Sequence, residues 1–228
     1  MNNVASTSAP IRHRVRARFA KQGELRFIGH QDLARTVERL LRRAGVQLSM
    51  TEGFHPRARL GFPLALAVGI AGDDEVVELD LAEAVDVARL SEKLQAHSPP
   101  GLSFHDVQLV PEGTRKAVVD CFEFRFPLPA ERRAAAEASV AELLAAATWP
   151  IRRAGRRVAL DLRSSILELA IDDAGLRMRL AFSHEGMPRP REILVALGLA
   201  DLEHQGFHLT RTAVVLCADT TVCTTQAT

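Results

Sequence analysis

The chain passes twice through the same order of hydrophobic periods, and that repetition limits its fold more than any single motif does. In 12-RHRVRARF-19, Arg12, Arg14, Arg16 and Arg18 alternate with His13, Val15, Ala17 and Phe19. Successive side chains of a strand point to opposite faces, so this reads as a β-strand with one basic and one mostly apolar face. A turn at 21-KQGEL-25 and a short extended piece, 25-LRFIG-29, lead into a helix. Its apolar positions Leu33, Val37, Leu40, Leu41 and Ala44 recur at helical spacing, the stripe a helix buries against a sheet, and Gly45 ends it. Two strands follow, 64-LALAVGI-70 and 75-EVVELDL-81, joined by the turn 71-AGDD-74. A helix over 83–96 turns Val87, Leu90 and Leu94 inward, 99-PPG-101 stops it, and 102-LSFHDVQLV-110 is a strand. The order β-α-β-β-α-β predicts the split βαβ of a ferredoxin-like sandwich.

Past the linker 111-PEGTRKA-117 the plan returns. Segment 121-CFEFRFPL-128 alternates Phe122, Phe124 and Phe126 against Cys121, Glu123 and Arg125, and the Ala-rich stretch 130–147 is a good helix former. Extended structure resumes at 149-WPIRR-153 and 157-RVALDLR-163. A hairpin, 165-SILELAI-171 with 176-LRMRLAF-182, turns at 172-DDAG-175 and precedes a short helix, 190-PREILVALGL-199, and a last strand, 207-FHLTRTAVVL-216. This half holds one strand more than the plan needs. The reading is an α+β chain of two tandem ferredoxin-like (βαββαβ) sandwiches, at 11–114 and 115–217, with flexible ends at 1–10 and 218–228.

Composition bounds the rest. Hydrophobic residues make up 47% and charged ones 25% of 228 residues, ordinary globular usage with enough apolar material for a core. The first ten residues lack the apolar run of a secretory signal, and no stretch approaches the ~20 apolar residues that span a bilayer, so a cytoplasmic protein without membrane contact is expected. Cys121, Cys217 and Cys223 are odd in number and not spaced as a metal cage, which points to structural thiols. The net charge of +1 conceals segregation: residues 11–60 carry twelve Lys/Arg against four Asp/Glu, and 61–112 carry two against ten. Such asymmetry suits a basic surface facing a polyanion, or two segments that neutralise each other in space.

Three blocks, 21-KQGELRFIGHQDL-33, 38-ERLLRRAG-45 and 52-EGFHPRARLGFPLALAVG-69, resemble the radical SAM-linked protein family. That family is a domain of unknown function, fused behind radical SAM/cobalamin-type proteins or standing as a separate chain, often encoded near ribonuclease E/G. The likeness extends, more weakly, through 160-LDLR-163, 189-RPREILVALG-198 and 210-TRT-212. Gly29 stands where the family pattern has serine, Gln31 where it has leucine, and Arg57 near a second histidine, so no catalytic role is carried over to that position. The resemblance implies a radical SAM enzyme or ribonuclease E/G as a neighbour or partner. It brings no activity, and the chain lacks the radical SAM cysteine motif.

The candidate binding residues fall in three groups. His30 and Asp32 open the first helix, where free N–H groups and the dipole favour an anion, with Arg26 adding charge; the plain alternative is local packing. Arg35, Arg39, Arg42 and Arg43 line the helix beside Arg14 and Arg16 of the first strand, either as a phosphate-binding surface or as solvated charge. The loop 51-TEGFHPRARLGF-62 is long for a connection. In it Phe54 and Phe62 can stack bases while His55, Arg57 and Arg59 meet phosphates, or the two phenylalanines pin the loop to the core. His13, His30, His55 and His105 show no metal-ligand spacing, and His184, His204 and His208 are uninformative, so neither metal nor cofactor is expected. Together these features predict an RNA-binding accessory protein in ribosomal or transfer RNA maturation or modification. A protein-interaction subunit of a radical SAM enzyme and a metal-independent endoribonuclease, using His30 or His55, are the alternatives.

Overall fold

The alternation of the first strand is realised in three dimensions: Val15, Ala17 and Phe19 lose all contact with solvent while Arg14, Arg16 and Arg18 stay on the other face. In the computed structural model, which describes residues 13–153, 159–183 and 186–217, the first half consists of β1 (His13–Lys21), a 3-10 turn (Gly23–Phe27), α1 (His30–Arg43), β2 (Leu60–Gly61), β3 (Ala71–Leu81), α2 (Val87–His97) and β4 (Leu102–Leu109). The second half consists of β5 (Val119–Phe126), α3 (Ala130–Ala145), β6 (Pro150–Ile151), β7 (Leu160–Asp161), β8 (Ile166–Asp172), β9 (Gly175–Ala181), α4 (Pro190–Ala196) and β10 (Thr210–Leu216). The ends assigned to 1–10 and 218–228, together with Arg12, His184 and Cys223, lie outside the described residues.

The chain is an α+β protein built on one large mixed sheet, ordered β4-β1-β3-β10-β5-β9-β8, with β2 pairing a further stretch of β3. Within each half every pairing is antiparallel. The halves meet at the parallel pair β3–β10, through Thr210 opposite Ala71 and Arg211 opposite Gly72. The sequence predicts two tandem sandwiches; the strands of the two halves join in one continuous sheet, because the edge of β3 left open by the short β2 receives β10. β6 and β7 form a separate two-residue ladder, the extra extended segment of the second half.

Two apolar clusters lie under the helices. Leu33, Val37, Leu40 and Leu41 of α1 and Leu90 and Leu94 of α2 pack on Phe19, Val77, Leu79 and Phe104. Ala136, Val140 and Leu143 of α3 and Ile193 and Leu194 of α4 pack on Phe122, Phe124, Phe126, Met178 and Leu180. Burial of a side chain such as Leu40 or Phe122 contributes about 1.5–3 kcal/mol each.

Four local expectations change. The apolar run 64–70 is not a strand: Pro63 and the left-handed Gly69 (φ 84°) break it, and Leu66 and Ile70 bury in the second cluster as a plug. Residues 71–74 are not a turn but the start of β3, held by the bond from Ala71 N to Leu209 O (3.1 Å). Residues 25–29 are not extended; Gly23–Phe27 is a 3-10 turn. The second helix starts at Val87 rather than 83, because the Asp86 carboxylate accepts from Ala88 N (2.8 Å) and Arg89 N (3.3 Å) and caps it there.

A buried ionic cluster sits where the halves join. Arg211, 2% exposed, donates from Nε to Glu75 Oε1 (2.7 Å) and from Nη2 to Glu75 Oε2, and Glu75 is itself 3% exposed. Lys21, 1% exposed, donates to Ile28 O (3.3 Å). Burial lowers the Lys21 pKa; Glu75 opposes the shift and Arg211 adds to it. Glu75 stands opposite Phe19 and Arg211 opposite Phe124, so the ion pair links the helix-covered sides of both halves. A Cβ at Gly72 would lie 2.6 Å from Glu75 Cγ, which makes glycine the residue that lets this pair close.

Candidate nucleic-acid interface

The basic face of β1 is wired into the fold. Arg16 donates to Glu78 Oε1 from Nη2 (3.0 Å) and Nε (3.3 Å), directly across the β1–β3 ladder. Arg18 meets Asp74 Oδ2 at 2.5 Å and Val214 O at 3.2 Å, reaching over β3 to β10. Arg14 donates to the carbonyls of Thr114 and Arg115 (3.2 Å to the latter), and Glu78 also accepts from Ala117 N (3.2 Å). The linker between the halves is therefore held across the helix-free face of the sheet by Arg14 and Glu78. His105 Nε2 adds a contact to Asp74 Oδ1 (2.9 Å), and Gln22 one to Asp73 (2.8 Å). On this face the basic and acidic segments neutralise each other in space, the second of the two arrangements that the charge asymmetry allowed.

The opening of α1 divides the residues expected at an anion site. His30 is exposed and sits edge-on to Phe62, with ring centroids 5.2 Å apart, and Phe62 in turn meets Phe19 at 5.9 Å. Phe62 is thus the residue that pins the long loop to the first core. The Arg26 guanidinium turns back on its own 3-10 turn, 4.4 Å over the Phe27 ring and 3.3 Å from Gly23 O. No bond joins Arg26 to His30 among the described residues.

On α1, Arg35 pairs with Asp32 (3.2 Å) and Arg43 caps His97 O of α2 (3.0 Å). Arg39 and Arg42 are exposed, and their guanidinium groups make no hydrogen bond or ion pair among the described residues. The face they occupy continues onto the long loop, because a groove lined by Glu38, Arg42, Leu48, Met50 and Ala58 joins the two.

That loop is a protruding hairpin rather than an irregular connection. Leu48 bridges Leu81, Met50 bridges Ala58, and Thr51 N bonds Arg57 O (2.8 Å), while Arg59 O accepts from Asp80 N (2.9 Å) and ties the base to β3. At the tip Phe54 is 102% exposed, the most exposed large apolar side chain among the described residues, with His55 and Arg57 exposed beside it. A hairpin that turns its phenylalanine ring to solvent gains nothing for the core through that ring.

Between the hairpin, β3 and the linker lies a cleft of about 450 Å³. Arg14, Arg57, Arg59 and Lys116 line it together with Glu78 and Asp80. The fold thus brings together Arg14, Arg57 and Arg59 from the sequence-predicted set and leaves Arg26, His30 and Arg35 outside this cleft. Lys116 and Asp80 were missed: nothing local distinguishes a linker lysine or a strand aspartate until the linker folds over the sheet. Arg59 Nε is fixed on Met50 O (3.0 Å), which holds its charge at the cleft wall. Among the described residues no group of three or more His, Cys, Asp or Glu side chains is placed to hold a metal. Neither Cys121 nor Cys217 is in a disulfide among the described residues; burial raises the Cys121 pKa against the opposing Arg179 contact (Nε to Sγ, 3.3 Å). Also among the described residues, no helix is long and apolar enough to cross a membrane.

Comparison with known proteins adds a family and little else. No curated protein matches the chain. A crystal structure described as an unknown protein from Galdieria sulphuraria aligns over 90% of this chain and 100% of its own, at 14% identity and a TM-score of 0.31, too low to carry an argument. One family model covers residues 14–190, and the chain belongs to that family, DUF2344, described as an uncharacterized protein conserved in bacteria.

Proposed function

We propose that this protein is an RNA-binding accessory factor that grips RNA along the face formed by Arg39 and Arg42 of α1 and the hairpin of residues 48–61. The observation that carries the reading is the hairpin tip, a fully exposed Phe54 flanked by His55 and Arg57, on a hairpin whose base at Met50 and Ala58 shares a groove with Arg42 of α1. An aromatic ring in solvent offers a base a stacking platform, and nearby guanidinium groups meet the phosphates on either side. Arg16 and Arg35, each paired with a carboxylate, contribute little to such a grip, and Arg14 and Arg59 contribute from the cleft wall. Arg26, His30 and Arg43 lie at the ends of α1, where they extend the positive field rather than contact the stacked base.

The finer architecture belongs to the same proposal. The orders β4-β1-β3-β2 and β10-β5-β9-β8, all antiparallel, support reading each half as a ferredoxin-like repeat, with the boundary near residue 115. Ribosomal or transfer RNA in the cytoplasm is the expected ligand. A radical SAM enzyme or ribonuclease E/G is the expected partner, on the strength of the sequence resemblance alone.

The test is fluorescence anisotropy with labelled transfer RNA and a ribosomal RNA fragment over a range of salt. Each neutralised phosphate should contribute about −0.7 to −0.9 to the slope of log affinity against log salt. Binding that is absent, or insensitive to salt, would rule the reading out and favour a protein-interaction subunit. That rival predicts capture of the radical SAM or ribonuclease partner from nuclease-treated lysate.

A further inference from the structure

We propose that the cleft between the hairpin, β3 and the linker is a nucleotide subsite that accepts one guanine nucleotide of the bound RNA. The inference deepens the RNA-binding reading and rests on it. At about 450 Å³ the cleft has room for a single nucleotide and falls within the range of small-ligand sites. Its charge is mixed in a way that a simple phosphate site is not. Glu78 is neutralised by Arg16 and by Ala117 N, so its carboxylate is satisfied inside the protein.

Asp80 differs. Leu79 and Leu81 on either side are buried under the helices, so strand alternation sets Asp80 on the opposite face with Glu78, across the ladder from Arg14. Arg14 nevertheless turns to the linker carbonyls, and the Asp80 carboxylate makes no hydrogen bond or ion pair among the described residues. A carboxylate kept unpaired among Arg14, Arg57, Arg59 and Lys116 weakens a site for a bare anion. It suits a ligand that brings both a negative group and hydrogen-bond donors.

A nucleotide is such a ligand. Its phosphate meets Arg57, whose guanidinium has no partner among the described residues, and Lys116. Its base turns a donor edge to Asp80. A carboxylate accepts two parallel hydrogen bonds, and guanine, with N1–H beside its 2-amino group, is the RNA base whose Watson–Crick edge offers two adjacent donors. Adenine offers one donor there beside an acceptor, and that acceptor would face a carboxylate oxygen. Recognition of an unstacked base on this edge is the usual means by which proteins read single-stranded RNA.

The experiment uses the full chain and labelled octamers: oligouridylate, and the same octamer with one central guanosine, adenosine or inosine. The guanosine octamer should bind about tenfold more tightly than the adenosine one. Inosine, which lacks the 2-amino donor, should lose most of that preference. Asp80→Asn should abolish the preference for guanosine over adenosine without weakening oligouridylate, whose affinity should rise as a negative charge leaves the cleft, and Arg57→Ala with Lys116→Ala should weaken all four octamers alike. Equal binding of the guanosine and adenosine octamers by the unaltered protein overturns the inference, as does a preference that survives Asp80→Asn. If oligouridylate still binds with the expected salt slope in those cases, the RNA-binding reading stands and only the guanine subsite falls. Absence of binding by every octamer and by transfer RNA removes both.

Discussion

Replacing Glu75 by alanine should destabilise the protein by about 3–5 kcal/mol, the cost of leaving one partner of a buried ion pair uncompensated. The magnitude follows from the junction itself. Arg211 and Glu75 are each almost wholly removed from water, their pairing is bidentate, and Lys21 lies close enough for Glu75 to offset part of its desolvation. Without the carboxylate, two cations remain at the seam of the sheet with only backbone carbonyls as partners: Leu64 O and Ala65 O (both 3.4 Å) for Arg211, and Ile28 O for Lys21. A domain's total stability is about 5–15 kcal/mol, so the loss is a large share of it. Urea unfolding followed by circular dichroism reads it directly. With a slope near the upper end of about 1–3 kcal/mol per molar, the midpoint should fall by about 1–2 M. The triple variant Lys21→Met, Glu75→Leu, Arg211→Met removes every charge and should recover most of the loss, because buried ions replaced together by apolar groups are often neutral in cost. A Glu75→Ala variant within 1 kcal/mol of the unaltered protein, or a triple variant no better than the single one, would refute the account.

Three further outcomes are expected. Lys21 has a folded-state pKa below its ordinary 10.5, so the unfolded chain binds more protons in the window between the two values. Stability should therefore rise with pH across that alkaline window, with the destabilising contribution fully present below it, and Lys21→Met should flatten the rise in urea melts taken at successive pH values. Phe54→Ala should leave the melting temperature unchanged and weaken RNA binding by about tenfold or more in anisotropy titrations, the usual loss for one stacked base. Arg39→Ala with Arg42→Ala should reduce the magnitude of the salt slope by about 1.4–1.8, whereas Arg16→Ala, which breaks the pair with Glu78, should alter stability more than the slope.

The sequence alone determined the faces of the elements. Strict alternation in β1 and β5 and the helical stripe Leu33, Val37, Leu40, Leu41 mark core positions because periodicity is a property of the backbone, which a strand or helix expresses wherever it is placed. The loop 51–62 stood out as too long for a plain connection, but its sequence left open whether Phe54 and Phe62 face solvent or core, and the fold splits them, Phe54 to solvent and Phe62 onto Phe19. The sequence could not tell which arginines remain available. Arg16, Arg18 and Arg14 read as one basic stripe with Arg39 and Arg42, yet Glu78 and Asp74 and the linker carbonyls take up the first three and leave the last two in solvent. Nor could it show that 64–70 is a plug, that β3 begins at Ala71, or that Asp80 and Lys116 share a cleft with Arg57. Each of these depends on partners far apart along the chain, as Glu75 and Arg211 are by 136 residues. Charges and strand edges are settled by whichever group arrives opposite them, and that is decided only when the sheet closes across its two halves.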